Sequence, residues 1–286
     1  MNPVNFCMTE STQHWISARE FDDFPPARPR ESHKGSFGHL MVVAGSMGYH
    51  GAAVLAVRGA QRAQPGLVTV LTQEAAYYPV AAQLQSAMVN VWSPDIHRFD
   101  KATAILMGPG LAAGDVNDEV KGIFRRLWRD AAVPMVVDAT AIGWLAPHSL
   151  GKNIVRVLTP HPGEAAALLR LSVAEIQANR ERTVREISQR YGNAWVALKG
   201  HETLVGRAEG EIMVNPTGNP HLAQGGSGDV LAGFVAGLLA QPALQTDAGR
   251  ALRYAVWQHG AAADQLQARQ RNWVVEDLVN ELGNAR

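Results

Sequence analysis

The run Gly225-Gly226-Ser227-Gly228-Asp229 carries the most chemical information in this chain. Glycine permits positive φ and close backbone approach, so several N–H groups can point at one spot. The chain then turns apolar as far as residue 240, which reads as a buried helix opened by the glycine turn. A helix N-terminus adds about half a positive charge there. The N–H groups of Gly226, Ser227 and Gly228 therefore form an anion hole suited to phosphate. Asp229 places a carboxylate where an anion should bind. That is electrostatically unfavourable and points to proton chemistry beside a phosphate. The competing reading is that Asp229 only caps the helix, for which Asp is well suited.

Further candidates stand at the ends of apolar runs. Thr159-Pro160-His161-Pro162-Gly163-Glu164 follows an expected strand over 154–158. Pro162 suits the first helical position and Glu164 the third, so His161 is either a helix cap or a ligand contact presented by two prolines. Lys199, Gly200, His201, Glu202 and Thr203 follow a strand over 195–198, and put a cation, a glycine and a hydroxyl at one strand end. Gly108-Pro109-Gly110 closes a strand over 104–107. Asp138 closes one over 134–137, where a site residue and a turn residue are equally expected. The turn over 45–51 lacks both the dinucleotide G-x-G-x-x-G spacing and the P-loop lysine.

These residues need a frame to hold them. Strands are expected over 39–44, 66–72, 88–92, 104–107, 134–137, 154–158 and 195–198. Helices are expected over 52–64, 116–130, 174–191, 248–267 and 274–282, and a hairpin pairs 203–206 with 211–214. Alternating strands and helices, with glycine turns recurring at the same strand ends, give a doubly wound α/β domain, and ligands of such sheets sit outside the carboxyl ends of the strands. The chain has 286 residues, 47% hydrophobic and 18% charged, which suits a large buried sheet. Its 26 basic and 26 acidic side chains cancel, so charge implies no nucleic-acid partner. Cys7 is the single cysteine, which excludes an intrachain disulfide framework. No secretory signal and no membrane-length apolar run is visible, and a cytoplasmic location is expected. Residues 1–32, with Pro25, Pro26 and Pro29, read as an arm with one short helix near 17–21. It precedes a single domain over 33–286.

Taken together and in order, His33-Lys34-Gly35-Ser36-Phe37-Gly38, Gly108-Pro109-Gly110, the segment 158–164, Leu198-Lys199-Gly200, Asn215-Pro216-Thr217-Gly218-Asn219, the glycine loop and His259-Gly260 resemble the NAD(P)H-hydrate dehydratase family, whose fold is ribokinase-like. The resemblance covers residues 33 to the end. It implies a three-layer αβα domain and a repair reaction, in which the S epimer of NADH or NADPH hydrated at C6 of the nicotinamide is dehydrated, coupled to cleavage of ADP or ATP. By the same resemblance Ala52, Gly110, His161 and Asp229 would contact the hydrated dinucleotide. Lys199, Gly200, His201, Glu202, Thr203 and Gly228 would hold the adenine nucleotide. Asp229 would be the catalytic residue. Magnesium is expected to accompany the nucleotide phosphates, with its protein ligands unknown. The resemblance also implies a homotetramer, and a separate epimerase chain supplying the companion reaction. Thr140 departs from the pattern, because an acidic residue is expected after Asp138-Ala139.

Two other functions remain to be separated from this one. An ATP-dependent vitamin-alcohol kinase of the same fold would use the same Asp and release a stable phosphate ester. A non-catalytic nucleotide sensor would need the glycine loop but no base.

Overall fold

Successive side chains of a strand point to opposite faces, and here every central strand is apolar on both. Leu40 and Val42 of β2 (His39–Val43), Ala104 and Leu106 of β5 (Ala104–Met107), Val136 of β6 (Met135–Val137) and Ala197 of β8 (Trp195–Leu198) enter one core cluster. Their neighbours Met41, Val43, Ile105, Met107, Met135, Val137, Val196 and Leu198 enter the other. A sheet buried on both faces needs a helical layer on each. The computed structural model shows this arrangement over residues 14–112, 114, 116–147 and 154–285; residues 1–13, Cys7 among them, lie outside the described residues.

The remaining strands are β1 (His14–Trp15), β3 (Leu67–Thr72), β4 (Met88–Val91), β7 (Arg156–Leu158), β9 (Leu204–Gly206) and β10 (Met213–Val214). The sheet runs β1-β10-β9-β8-β7-β6-β5-β2-β3-β4. Only β9 runs against its neighbours. The register pairs Val43 with Met107, Met107 with Val137, and Val137 with Leu158. Residues that leave these strands therefore emerge side by side: Gly45, Gly108, Asp138, Thr159 and Lys199.

One face is covered by α1 (His50–Arg62), α7 (Ser227–Leu239) and α8 (Ala248–Arg269), with α2 (Glu74–Ala81) and α9 (Val275–Glu281) beside them. The other is covered by α3 (Asp118–Asp130), α4 (Pro162–Leu169), α5 (Val173–Ala178) and α6 (Arg180–Arg190). Helix α7 crosses α1 at backbone contact. A Cβ on Gly233 would lie 1.9 Å from the Ala56 carbonyl oxygen, and one on Gly237 2.5 Å from that of Ala60.

Three sequence expectations are corrected. The single helix over 174–191 is two helices broken at Asn179, whose φ of −137° and ψ of 49° are not helical. Periodicity does not register one irregular residue when apolar positions continue past it. Helix α2 was not anticipated, because it is eight residues long, contains Pro79 and buries only Ala76 and Val80. The described part of the arm adds β1 to the sheet edge, parallel to β10, and packs Phe21 against Tyr254 and Trp257. The anticipated short helix is there as a 3-10 turn over Ala18–Phe21 capped by Ser17. No single helix among the described residues is long and apolar enough to cross a membrane.

The crossing yields a stability prediction. Gly233→Ala drives a methyl into the α1 backbone and should destabilise the protein by about 1–3 kcal/mol, the range for overpacking a core. Gly122→Ala in α3, where a Cβ meets nothing within 4 Å, should stabilise by about 0.5–1 kcal/mol. Paired urea titrations of the two variants check both signs.

Candidate active site

The glycine loop reaches α7 through Gly226, which occupies the N-cap position in the left-handed region at φ +94°. Leu55 of α1 packs so closely that a Cβ there would lie 2.3 Å from its Cδ1. Neither demand suits another residue. The N–H of Ser227 is used within the turn, donated to Gln224 O at 3.3 Å, and Gly226 O accepts from Val230 at 3.0 Å. The N–H groups of Gly226, Gly228 and Asp229 find no acceptor among the described residues. The free donors are thus the N–H groups of Gly226, Gly228 and Asp229, whereas Ser227, named with Gly226 and Gly228 from the sequence, has its own N–H spent in the turn. The capping reading of Asp229 fails, because Asp229 is the third residue of α7 and no side chain caps this helix.

Four charged groups face one another at this helix end. Lys199 Nζ lies 2.8 Å from Asp138 Oδ1, which also accepts from Thr159 Oγ1 at 2.7 Å. The same Nζ sits against the glycine turn, 3.3 Å from where a Gly228 Cβ would be. Burial opposes the Lys199 charge, but Asp138 and Glu164, together with the hydrogen bond to Asp138, outweigh it and hold the ammonium above its ordinary pKa. The Asp229 side chain is half-buried and makes no hydrogen bond to a described residue. Burial, then the negative charge of Asp138, push its carboxyl up to about 7, with Lys199 opposing and Glu164 adding to the rise. Glu164 is raised as well, first by burial. Asp138, which the sequence left equally open as a site or a turn residue, is thus part of this cluster, and Glu164 was not anticipated there. Asp138 could be found from its strand-end position, whereas Glu164 reads from sequence as a capping residue only.

His161 does occupy the cap of α4. Its Nδ1 accepts from the N–H groups of Gly163 at 3.0 Å and Glu164 at 3.3 Å, and Glu164 returns the contact by accepting from the His161 N–H at 2.8 Å. The ring is nonetheless 56% exposed, with Nε2 3.4 Å from Glu164 Oε1. Capping and presentation to a ligand are therefore compatible. Ala52 and Gly110 are brought into contact, since a Cβ on Gly110 would meet the Ala52 Cβ at 2.8 Å. Buried Ser46, absent from the anticipated set, ties their two loops by donating to Gly110 O at 2.8 Å and accepting from Ala112 N–H at 3.1 Å.

The turn from Lys199 to Thr203 divides. Lys199 points inward to Asp138, while Gly200, His201 and Glu202 are exposed. Thr203 Oγ1 donates to Gly200 O at 3.1 Å, and Arg180 donates to the carbonyls of Leu198 at 3.1 Å and Glu202 at 3.2 Å. The break at Asn179 starts α6 at Arg180, beside this turn. From the far side, α8 supports the loop. His259 Nε2 donates to Ser227 O at 3.0 Å, and burial depresses its pKa to about 4, so it stays neutral. Asp264 accepts from Gly218 N–H at 2.8 Å and Asn219 Nδ2 at 3.0 Å. The Asn215-to-Asn219 segment is thereby fixed as scaffold.

Among the described residues no three His, Cys, Asp or Glu side chains converge as a metal cage.

Asp229 also makes stability depend on pH. Its folded pKa is raised from 3.8 to about 7, so the folded state keeps a proton that the unfolded chain releases. Its contribution is fully present below the unfolded value and is lost as pH rises through about 7. Asp229→Asn removes this loss. The stability of the variant relative to the native protein should rise between about pH 4 and about pH 7 and level off above, as read by urea midpoints.

Comparison with known proteins places the chain in a family. The family model described as NAD(P)H-hydrate dehydratase matches residues 40–284. The chain is 39% identical over 271 residues to the ADP-dependent (S)-NAD(P)H-hydrate dehydratase of Neisseria meningitidis serogroup B, covering 92% of this chain and 89% of that one. It superposes with a TM-score of 0.80 and 31% identity on the Bacillus subtilis ADP/ATP-dependent NAD(P)H-hydrate dehydratase co-crystallised with ATP/Mg2+, covering 91% and 92% of the two chains. A ribokinase-like superfamily protein of Enterococcus faecalis gives 0.79 at 28% identity, covering 95% and 94%. Other relatives are bifunctional NAD(P)H-hydrate repair enzymes, of which the chain spans about half the length. With a ribokinase-like fold and a match across nearly its whole described length, this chain belongs to the NAD(P)H-hydrate dehydratase family.

Proposed function

We propose that the cluster around Asp229 dehydrates the S epimer of hydrated NADH or NADPH, driven by cleavage of ADP to AMP and phosphate, or of ATP to ADP and phosphate. The observation that carries this reading is Asp229 itself. A half-buried carboxylate without a hydrogen-bond partner stands beside three free backbone N–H groups and the Lys199 ammonium, with a pKa of about 7. A general base is most effective when its pKa lies near the working pH.

Hydroxide is a poor leaving group from C6 of the reduced nicotinamide. In the proposed sequence Asp229 takes the proton of the C6 hydroxyl as its oxygen attacks the terminal phosphorus of the nucleotide, and the shortened nucleotide departs. The N–H groups of Gly226, Gly228 and Asp229, the helix N-terminus and Lys199 balance charge on the transferred group. The lone pair of the ring nitrogen then expels phosphate from C6, and loss of the C5 proton restores the dihydronicotinamide ring. A magnesium ion bound with the nucleotide would neutralise phosphate charge, with no cage of His, Cys, Asp or Glu for it among the described residues. The Ala52 and Gly110 corner and the His161 ring hold the dinucleotide, and the exposed turn at Gly200, His201, Glu202 and Thr203 holds the adenine nucleotide. We place the enzyme in the cytoplasm as a homotetramer. Light scattering at micromolar protein checks the assembly, and a monomer mass would exclude it.

Absorbance of reduced nicotinamide, followed with hydrated NADH and either nucleotide, separates this reaction from that of a kinase, whose product keeps the added phosphate. Asp229→Asn should lower turnover by about two to four orders of magnitude, the worth of a positioned base. In the native enzyme kcat/KM should fall with decreasing pH below about 7, as the base is protonated. A variant holding more than about a tenth of native turnover lies outside the base range and would remove Asp229 from this role.

His161→Ala should lose about 1 kcal/mol of stability with the cap. His161→Asn keeps a good cap and removes only the ring. If the ring binds the dinucleotide, both variants should raise KM more than they lower kcat. A large fall in kcat at saturating substrate would make the role chemical.

A further inference from the structure

We infer that Asp138 is a positioning residue for this reaction: with Thr159 it pins the Lys199 ammonium against the Gly228 turn, so that the cation meets the phosphate cradle from one fixed point. The inference rests on the proposed reading of the site.

Three observations carry it. Asp138 is 2% exposed, and its Oδ1 receives both the Lys199 Nζ at 2.8 Å and the Thr159 hydroxyl at 2.7 Å. A turn aspartate would instead cap the 3-10 helix that follows over Ala139–Trp144, yet Asp138 stands at that N-cap position with no capping bond from its side chain. The next residue, Ala139, is held at φ +54°. That is the left-handed region, unfavourable for a residue with a Cβ, and such strain persists only where the surroundings impose it. The backbone here is shaped to send a carboxylate inward to a lysine at the end of β8, across the intervening β7.

Lys199 has four rotatable bonds and no chelating geometry of its own, so something must fix its ammonium. The groups that face it are Asp138 beyond β6, Glu164 on α4, Asp229 on α7 and the neutral His259 on α8, and among the described residues Asp138 alone makes a close ion pair with it. Burial raises the Asp229 pKa most; of the charges that act on it, Asp138, Lys199 and Glu164, Asp138 is the negative one that raises it most. Removing the Asp138 charge should therefore release the lysine and make Asp229 more acidic at the same time.

Asp138→Asn, nearly the same size, tests both effects. Lys199 of the native protein and the variant is acetylated with acetic anhydride at about pH 8, and the rate is read peptide by peptide by mass spectrometry; it should rise several-fold in the variant, where the amine is unpaired and less basic. In kinetics kcat should fall by about tenfold or more, since a displaced group of this kind is costly in rate. The nucleotide KM should change less, and the acid limb of kcat/KM should move to lower pH. Asp138→Glu restores the charge but displaces the carboxylate, so the limb should return while kcat stays low. Thr159→Val keeps the charge, and should speed Lys199 acetylation and lower kcat by a smaller factor without moving the limb. Unchanged acetylation in Asp138→Asn overturns the inference. So does a kcat within about twofold of native combined with an unmoved limb. If Asp138→Asn fails to fold, native acetylation and kcat in Thr159→Val overturn it. A native protein that releases no NADH from its hydrate refutes the functional reading, while the acetylation contrast still decides the positioning role.

Discussion

Backbone contact between α7 and α1 is the constraint on which the rest of this molecule depends. Glycines at 233 and 237 let α7 lie against the Ala56 and Ala60 carbonyls, and Leu55 closes on Gly226 at its start. A helix buried along nearly its whole length cannot tilt or slide without opening core volume, and close-packed interiors resist that. Its N-terminus therefore stays in place, and the N–H groups of the glycine turn with it. Charge stabilisation in catalysis depends on such donors being set before the reaction begins, because they then need no reorganisation during it.

The electrostatics follow from that rigidity. Three carboxylates and one ammonium are gathered where water is scarce, and the fold does not neutralise them pairwise. Asp138 takes Lys199 into a close ion pair, which leaves Asp229 without a partner. Deprived of solvent and facing a second negative charge, Asp229 shifts toward neutral pH. An unpaired, half-buried carboxylate costs stability, a trade commonly found at functional sites. Next to it His259, also buried, is pushed the other way and remains neutral, so it can donate one hydrogen bond to Ser227 O without adding charge.

Support for the site comes largely from elements that carry no chemistry. Ser46 joins the two loops at Ala52 and Gly110. Asp264 ties down the segment before the glycine loop. Arg156, 1% exposed, donates to carbonyl groups at the end of α3, among them Trp128, Ala131 and Val133. Those carbonyls have no partners within the helix, and a buried arginine satisfies several of them at once. The strand that carries Arg156 also delivers Thr159 to Asp138, so the packing beneath the sheet and the chemistry above it share one element.

Much of this protein was legible in the order of its residues. Short apolar runs, most of them followed within two residues by glycine, proline or aspartate, mark the strands and their carboxyl ends. Those signals are local, because turn geometry and hydrophobic burial act over a few residues. The glycine loop and Asp229 were legible for the same reason. Tertiary structure decided what depends on distance between strand ends. It joined Lys199, which the sequence places in a nucleotide turn, to Asp138 sixty-one positions away. It spent the Ser227 N–H in a turn and left that of Asp229 free, and it moved the cap of α7 to Gly226. It broke the helix at Asn179 and set Arg180 against the Leu198 and Glu202 carbonyls. None of these could be read from spacing, because a strand end fixes where a side chain starts and only its packed neighbours fix where its charge comes to rest.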